Sequence, residues 1–600
     1  MTALLAAAAH LEPAAMGRAH RHVVTKALSE FSHERLIAPE PEAGGPADPL
    51  GRTGWRLTTA PGVTYRFAAR VLPLEHWDVD PASVTRTVDG TDTALDALAL
   101  VDELQADLDI PDALLATYLE EVSATLAGAA WKLHHRRADA RELARADLQT
   151  VERSMTEGHP AFVANNGRIG FGLADAAAYA PEAGAPVRLV WVAARREHTH
   201  LACGAGVDEG QLYASQLGAD QLDRFAGRLR DLGLDPAGYR YLPVHPWQWE
   251  HRLAVTFAAD VGRRDLVLLG PGEDRYQAQQ SIRTFFDLDR PDRHYVKTAL
   301  AIQNMGFLRG LSPAYMRSTP AINDWVADVV RGDPELSAAG FDVLREVASI
   351  GYTGDAYHRM AARGLRSPYQ RMVAALWRES PVPRLAPGER AMTMAALLHR
   401  DAEGRSLVGG LIADSGLDPA DWLRRYLDAY LRPVLHCLLA HDLAFMPHGE
   451  NLIVVLRGSA PARVFMKDVG EEVAVFGDRP LPPEIERIRV AEPDDVRLLS
   501  VFTDVFDGFL RYLAAVLDAD GLLPAEETWR CVAGCLLAHR EAHPELHRRF
   551  DLFAPEFAHS CLNRLQLRNT LQMVDLADQA SSLQYAGTLA NPVAPYGPPR

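Results

Sequence analysis

The chain has 600 residues, a formal net charge of -17 and a hydrophobic fraction of 48%. That length exceeds what one hydrophobic core serves, so several lobes are expected, and an acidic balance with only short basic clusters, such as Arg136-Arg137 and Arg424-Arg425, argues against a nucleic-acid binder. Five scattered cysteines (Cys203, Cys437, Cys531, Cys535 and Cys561) do not read as a disulfide framework, and no run of about 18 apolar residues is present to span a membrane.

The N-terminal run MTALLAAAAHLEPAAMGRAH lacks a basic region before its apolar part and a convincing cleavage site. An alanine-rich first helix and a cytoplasmic location are therefore expected. Residues 39–61, rich in Pro and Gly, read as loop. After Pro111-Asp112, a suitable helix start, Leu114, Leu115, Tyr118, Leu119, Val122 and Leu126 recur at helical spacing. The part up to about residue 150 reads as mostly helical.

The middle of the chain changes character. Val187–Val192 and Leu266–Leu269 are short, branched apolar runs that read as strands. Between and around them lie unusual polar segments. Glu157–Gly172, EGHPAFVANNGRIGFG, combines two Asn, three Gly and Arg168 after His159, a composition that serves either a phosphate loop or a structural turn. Leu242–His251, LPVHPWQWEH, reads as a packed corner first and a substrate wall second. In SIRTFF, strand alternation places Ser281, Arg283 and Phe285 on one face and Ile282 and Thr284 on the other. A phosphate clamp or an exposed edge strand fits that pattern. In His294–Ser312, Lys297 and Arg309 sit among mostly apolar or neutral residues and need anionic partners if buried. Lysine suits a phosphate as a point charge, and arginine suits a planar carboxylate.

The last third opens with Asp418-Pro419, a cap and first-turn pair. An apolar stripe follows, Trp422, Tyr426, Tyr430, Val434 and Leu438, with Pro433 a candidate kink. Next comes HGEN (His448, Glu450, Asn451), a strand-like LIVVL, a turn at 458–461, a second strand at 464–466, and KDVGEE (Lys467, Asp468, Glu471, Glu472). This is a hairpin that brings oxygen ligands at Asn451 and Asp468 together, as a phosphate-bound Mg²⁺ requires. From about residue 497 the chain reads as helical to a Pro-rich tail. Cys531 and Cys535, one turn apart without a second ligand pair, read as buried thiols rather than a zinc site.

The ordered set GHP…NGRIGF, VHPWQWE, SxRT, HYVKTALAIQN…RGL and HGEN…KD resembles the IucA/IucC family of siderophore synthetases that work without a peptide-synthetase assembly line. The resemblance runs from about Glu157 to Lys467, and the helical C-terminal part also fits. It implies an α+β, three-lobed cupped hand: a mainly helical thumb (1–185), sheet-containing fingers (186–395) and a palm (396–600). It implies Mg²⁺-ATP, attack of a carboxylate on the α-phosphorus with release of pyrophosphate, and displacement of AMP by an amine or hydroxyl.

Carried over residue by residue, the resemblance assigns Ser281, Arg283, Thr284 and Lys297 to the ATP phosphates. Arg309 and His448 are assigned to the carboxylate and phosphates, Asn451 and Asp468 to nucleotide and metal, and His159 to the ATP-proximal histidine. Arg168 joins the nucleotide set. Glu450 is a further metal candidate at a position where the family varies. Branches that activate free citrate often carry a second HP and a Lys after the first GHP. GHPAFVANNGR instead resembles the branch acting on a derivatised acid, a citrate monoamide or succinyl hydroxamate, with an N-hydroxydiamine as the nucleophile. A homodimer is also implied. Two rival readings remain at this level. One is a small-molecule kinase of the aminoglycoside-phosphotransferase type, against which Glu450 stands where an Asp is needed. The other is a non-catalytic protein that binds a siderophore precursor.

Overall fold

The computed structural model describes residues 7–42, 47–135, 138–361, 363–568 and 583–598. The Arg136-Arg137 pair and the start of the first apolar run, residues 1–6, lie outside the described residues.

Two helices frame the N-terminal lobe: α1 (Pro13–His33), with Pro13 in its first turn, and α2 (Asp112–His135). The expected amphipathic pattern of α2 is present, with Tyr118, Val122 and Leu126 buried. The expectation that this part is mostly helical leaves out a sheet. An antiparallel sheet occupies residues 40–93, and β1 (Thr53–Ala60) runs through the stretch read as loop. Its partner β2 (Val63–Leu72) buries Val63, Tyr65, Phe67 and Ala69, every second residue, against the helices while Arg66 faces out. Pro61-Gly62 makes the turn between them, with Gly62 at φ +79°. Punctuation that looked like a loop is here the hinge of a hairpin.

The middle region holds two antiparallel sheets. In the first, β3 (Val190–Arg195) lies between β5 (Tyr239–Val244) and β6 (Leu266–Pro271). The second runs Tyr276–Ala278, β7 (Thr284–Asp287), β8 (Tyr295–Thr298), β10 (Ala374–Arg378), β9 (Glu346–Tyr352) and β4 (Thr199–Cys203). The expected strand across Ser281–Phe286 is corrected at its start. Ile282 has φ +57°, the Ile282 N–H donates to Gln279 O, and the strand begins only at Thr284. A tight turn therefore replaces the alternation expected for Ser281, Arg283 and Phe285. Leu242–His251 is the packed corner it was read to be. His245 Nδ1 caps the Trp247 N–H at 3.0 Å, and Gln248 accepts from Ala301 N at 2.8 Å while donating to Met372 O at 3.1 Å.

In the C-terminal lobe Asp418 caps α3 (Pro419–Ala429), and α4 (Leu431–His441) follows after a break at Tyr430. Pro433 cannot donate to the carbonyl four residues back, at Ala429, which is where α3 ends. The stripe Trp422, Tyr426, Tyr430, Val434, Leu438 is buried throughout. The hairpin β12 (Leu452–Arg457) and β13 (Ala460–Met466) forms as expected, flanked by β11 (Glu389–Thr393) and, in parallel, by Asp342–Val343. After residue 497 the described residues are largely helical, including α5 (Ala525–Ala542), where Cys531 and Cys535 are buried thiols. The reading there missed a strand pair, Glu556–Ser560 with Tyr585–Ala590.

Three principal apolar cores result, but they do not follow straight cuts at 185/186 and 395/396. Ile322, Val326, Val343 and Met392 pack with the C-terminal helices, and Leu567 packs with the N-terminal helices. The architecture is α+β. Among the described residues no helix is long and apolar enough to cross a membrane.

Candidate active site

In an antiparallel sheet, directly paired residues share a face. Thr284 pairs with Lys297, Lys297 with Leu376, Tyr295 with Arg378, and Arg378 with Glu346. Tyr295 and Lys297 are two apart on β8, so Thr284, Lys297, Arg378 and Glu346 all project from one face. The Arg378 guanidinium lies over the Tyr295 ring, 5.2 Å from its centroid.

The end of the palm hairpin meets that face. Leu452 pairs with Met466, which makes Asn451 and Lys467 the next residues out, and the Lys467 N–H donates to Asn451 O at 3.0 Å. Asp468 then adopts φ +60°, a left-handed conformation that costs a non-glycine residue about 1–3 kcal/mol. It places Oδ1 at 2.7 Å from Lys297 Nζ and Oδ2 at 3.2 Å from Arg378 Nη1. One turn on, Glu471 lies 3.1 Å from Lys297 and 4.0 Å from Arg283. Glu472 accepts a hydrogen bond from the Asn451 side chain. Glu346, behind them, accepts from Gly470 N at 3.0 Å and Asn323 at 3.1 Å. A Cβ at Gly470 would fall on that Glu346 oxygen and on the Thr319 methyl, so only glycine permits this approach.

Charge is concentrated and dry. Burial opposes the ionised forms of Lys297 and Asp468, but their mutual attraction, with help from Glu471 and Arg378, holds the lysine pKa up and the aspartate pKa well down. Glu472 is pushed up to about 7, by burial first and by Asp468 second. Burial also depresses Arg283, and it brings Arg309 down to about 10 with Arg283 as the neighbouring like charge. Arg309 Nη2 is steered by Asn304 Oδ1 at 2.8 Å, and Asn304 is itself anchored on Gly167 O at 2.8 Å. Arg309 Nε and Ser281 Oγ, both donors, are buried without a hydrogen-bond acceptor among the described residues. A ligand rich in acceptor oxygens is what such donors match.

His448 and His159 form an edge-to-face pair, with ring centroids 5.5 Å apart. Burial lowers both imidazole pKa values, His159 well below the ordinary range. The Glu450 N–H donates to His448 Nδ1 at 3.2 Å, and His448 Nε2 lies 3.1 Å from the Asn451 amide nitrogen, itself a donor, so both ring nitrogens face N–H groups. Next to this pair opens a cavity of about 560 Å³. It is lined by Trp77, Met155, Pro160, Phe509 and Tyr512, with His159 and Glu450 also on its wall.

Ser281, Arg283, Thr284, Lys297, Arg309, Asn451, Asp468, His448 and His159 therefore surround one region. Arg168 does not join them. Both its terminal nitrogens are bound by Glu182, at 2.6 and 2.9 Å, and Lys132 is the nearby second cation. The pair ties the loop at 157–172 to Glu182 beyond it. The asparagines of that loop are likewise used internally: Asn165 donates to Glu157 and His159 O, and Asn166 accepts from Lys132. Glu450 faces the large cavity. Sequence reading missed Arg378 and Glu346 altogether. Each stands at a strand end beside an opposite charge, Arg378 before Glu379 and Glu346 after Arg345, and only the pairing of β8, β9 and β10 reveals them.

Comparison with known proteins agrees with this arrangement. The IucA / IucC family profile matches residues 147–399, and that of a ferric iron reductase FhuF-like transporter matches 420–575. Putrebactin synthase of Shewanella sp. (strain MR-4) is 44% identical over 596 residues, covering 98% of this chain and 93% of that protein. Aerobactin synthase of Escherichia coli is 29% identical, covering 91% and 93%. Aerobactin synthetase IucC from a hypervirulent pathotype of Klebsiella pneumoniae superposes with a TM-score of 0.83 at 27% identity, covering 97% of this chain and 98% of that one. Petrobactin biosynthesis protein AsbB from Bacillus anthracis str. Sterne shares the fold, with a TM-score of 0.84 at 23% identity and coverage of 98% and 97%. With end-to-end similarity at this level, and with the quoted motifs gathered into one charged site, the chain belongs to the IucA/IucC family of siderophore synthetases.

Proposed function

We propose that the chain adenylates a carboxylate with Mg²⁺-ATP and passes the acyl group to an amine, an N-hydroxydiamine being the favoured nucleophile. The observation that carries this reading is the convergence, around Lys297, of strand cations with hairpin acids from a segment 171 residues away. Ser281, Arg283, Lys297 and Arg378 supply donors for phosphate oxygens. Arg309 supplies a planar fork for the carboxylate. Two anions must meet for a carboxylate oxygen to attack the α-phosphorus, and fixed cations in a dry site lower that barrier because they need no reorganisation. His448 would donate through Nε2, once that nitrogen turns from the Asn451 amide, to oxygen that gains charge in either half-reaction. Pyrophosphate leaves in the first step. In the second, the amine bonds to the acyl carbon as AMP departs.

The donor set also fits a hard divalent cation. Asp468, Glu471 and Glu472 offer carboxylate oxygens, and Asn451, whose amide nitrogen is used by Met446 O and Glu472, offers Oδ1. Bound there with the nucleotide, Mg²⁺ would neutralise phosphate charge. The cavity beside His159 and Glu450, apolar along most of its wall, suits the methylene chain of the second substrate. The absence of a second HP and a Lys after Gly158 favours a derivatised acid, a citrate monoamide or succinyl hydroxamate, over free citrate.

The test is product analysis across a panel of acids, with and without N-hydroxydiamines. Acid-dependent pyrophosphate and AMP are expected. ADP formation would instead support the kinase reading, and tight binding of a hydroxamate with no ATP turnover would support the binding-protein reading.

A further inference from the structure

Away from the residues of the synthetase site, the palm holds a second concentration of titratable side chains, and it is made of histidines. His436 and His441 come from α4. His539 lies in the last turn of α5, and His543, four residues on, is its C-terminal cap residue. His547 follows on the next turn of chain. Asp333 caps the helix Pro334–Ala338 through Oδ1, which leaves Oδ2 to face the imidazoles.

The geometry has an inner and an outer layer. The rings of His436, His539 and His543 form a triangle, with centroids 5.3, 4.9 and 4.9 Å apart. One nitrogen from each lies within 4.8 Å of the others. His436 Nδ1 and His539 Nε2 face each other at 3.0 Å. Tetrahedral zinc with nitrogen ligands needs a separation of about 3.3 Å, so a small relaxation suffices. The nitrogens that point away are already held: His436 Nε2 by Asp333 Oδ2 at 3.2 Å, and His539 Nδ1 by His547 Nε2 at 2.8 Å. His441 Nε2 shares the Asp333 oxygen at 2.8 Å, and His543 Nε2 lies 3.4 Å from Glu335. Carboxylate or imidazole behind a ligating histidine is the arrangement that orients metal ligands. His436 and His539 are buried, whereas the His543 side chain is 24% exposed and gives access from solvent.

We propose that His436, His539 and His543 constitute a binding site for one divalent transition-metal ion of the Zn²⁺ class, with Asp333 and His547 as positioning residues. Imidazole donors select such ions over Mg²⁺ or Ca²⁺, so this site is chemically separate from the oxygen cluster at Asp468. Burial supports it by holding His436 below its ordinary range and His539 down to about 3, so the ligand nitrogens are unprotonated at neutral pH. Because the ligands come from two helices, the ion would tie α4 to α5 and stiffen the palm under the hairpin. The rival arrangement is a chain of neutral imidazoles, Asp333–His436–His539–His547, joined by hydrogen bonds alone.

The test uses the full chain, freed of metal by a chelator, and Zn²⁺ or Co²⁺ alone as the probe. One equivalent of Zn²⁺ should bind, raise the melting temperature, and do so without nucleotide. Co²⁺ should give the visible absorption of a nitrogen-ligated, four- or five-coordinate ion. His543→Ala, at a part-exposed helix end, should fold and lose at least tenfold in affinity. His539→Gln should abolish stoichiometric binding, and His547→Ala should weaken it by about 10–100-fold. Cys531→Ser, on the same helix, should bind as the parent does. No stoichiometric Zn²⁺ binding, or binding unchanged in both His543→Ala and His539→Gln, would overturn the proposal.

Discussion

Lys297 and Asp468 stand 171 residues apart in sequence, yet their charged atoms meet at 2.7 Å in a buried site. The contact joins the middle sheet to the palm hairpin. Its cost is shared with Glu471 and Arg378, which flank it. Replacing Lys297 by Met leaves two buried carboxylates, Asp468 and Glu471, short of a cation. Removing one partner of a buried pair typically costs about 3–5 kcal/mol, and here Arg378 remains, so the lower end is expected in urea unfolding of the nucleotide-free protein. Acid-dependent pyrophosphate release should also collapse. A variant as stable and as active as the parent would separate this pair from both fold and chemistry.

Asp468→Asn keeps the size of the side chain and removes its charge. Lys297 then retains Glu471, so the fold should survive. Under the proposed chemistry the variant should need several-fold more Mg²⁺ for half-maximal pyrophosphate release, with a smaller change in the KM for the acid. An unchanged Mg²⁺ titration contradicts a ligand role for this residue.

Arg309 is positioned by Asn304 and carries an unmatched Nε donor. Arg309→Ala should raise the KM for the acid by roughly 10–100-fold, the loss expected of a charge-assisted pair worth about 1.5–3 kcal/mol. ATP affinity, measured without acid, should change much less. Equal loss of both would place Arg309 on the nucleotide instead.

How legible was this site beforehand? The hairpin was readable because LIVVL and VFM are branched, apolar and split by a glycine turn, and because HGEN and KDVGEE bracket it with charge. SIRTFF was only half readable. Its composition fitted a phosphate clamp or an exposed edge strand equally, and Ile282 at φ +57° breaks an alternation that a branched residue would normally continue. Arg378 and Glu346 were not readable, since their meaning lies in a register between strands that no local spacing encodes. Arg168 misled for the opposite reason: beside glycines and asparagines it looks like a phosphate ligand, and Glu182, 14 residues on, claims it. The N-terminal sheet carried a usable signal, the alternation of Val63, Tyr65, Phe67 and Ala69, which was hidden by reading residues 39–61 as loop.

The tautomer of His448 makes a distinction that kinetics can test. Nδ1 accepts from the Glu450 N–H and Nε2 sits 3.1 Å from the Asn451 amide nitrogen, so a donor role for Nε2 requires that contact to open when substrate binds. Loss of one such donor typically lowers turnover by about 10²–10³-fold, which is the expectation for His448→Ala. His448→Gln, which keeps an N–H, should recover part of that loss. Burial lowers the imidazole pKa, so any inflection traceable to this residue should fall below the ordinary imidazole range. An acid limb that is present in the parent and vanishes in His448→Gln would make it a base.

Glu472 couples the site to pH. Burial, and then Asp468, raises its pKa to about 7 in the folded protein, against an ordinary value of 4.5. Between those two values the folded chain holds a proton that the unfolded chain has released, so this residue makes unfolding easier as pH rises from about 4.5 to about 7. Glu472→Gln should flatten that part of the stability profile in urea titrations. A divalent cation at the proposed oxygen cluster competes with the same proton. Mg²⁺ should therefore bind more tightly at pH 8 than at pH 6 in the parent, and this difference should shrink in Glu472→Gln. If the variant and the parent show the same pH dependence in both measurements, the acid at this position is neither protonated in the folded protein nor part of a cation site.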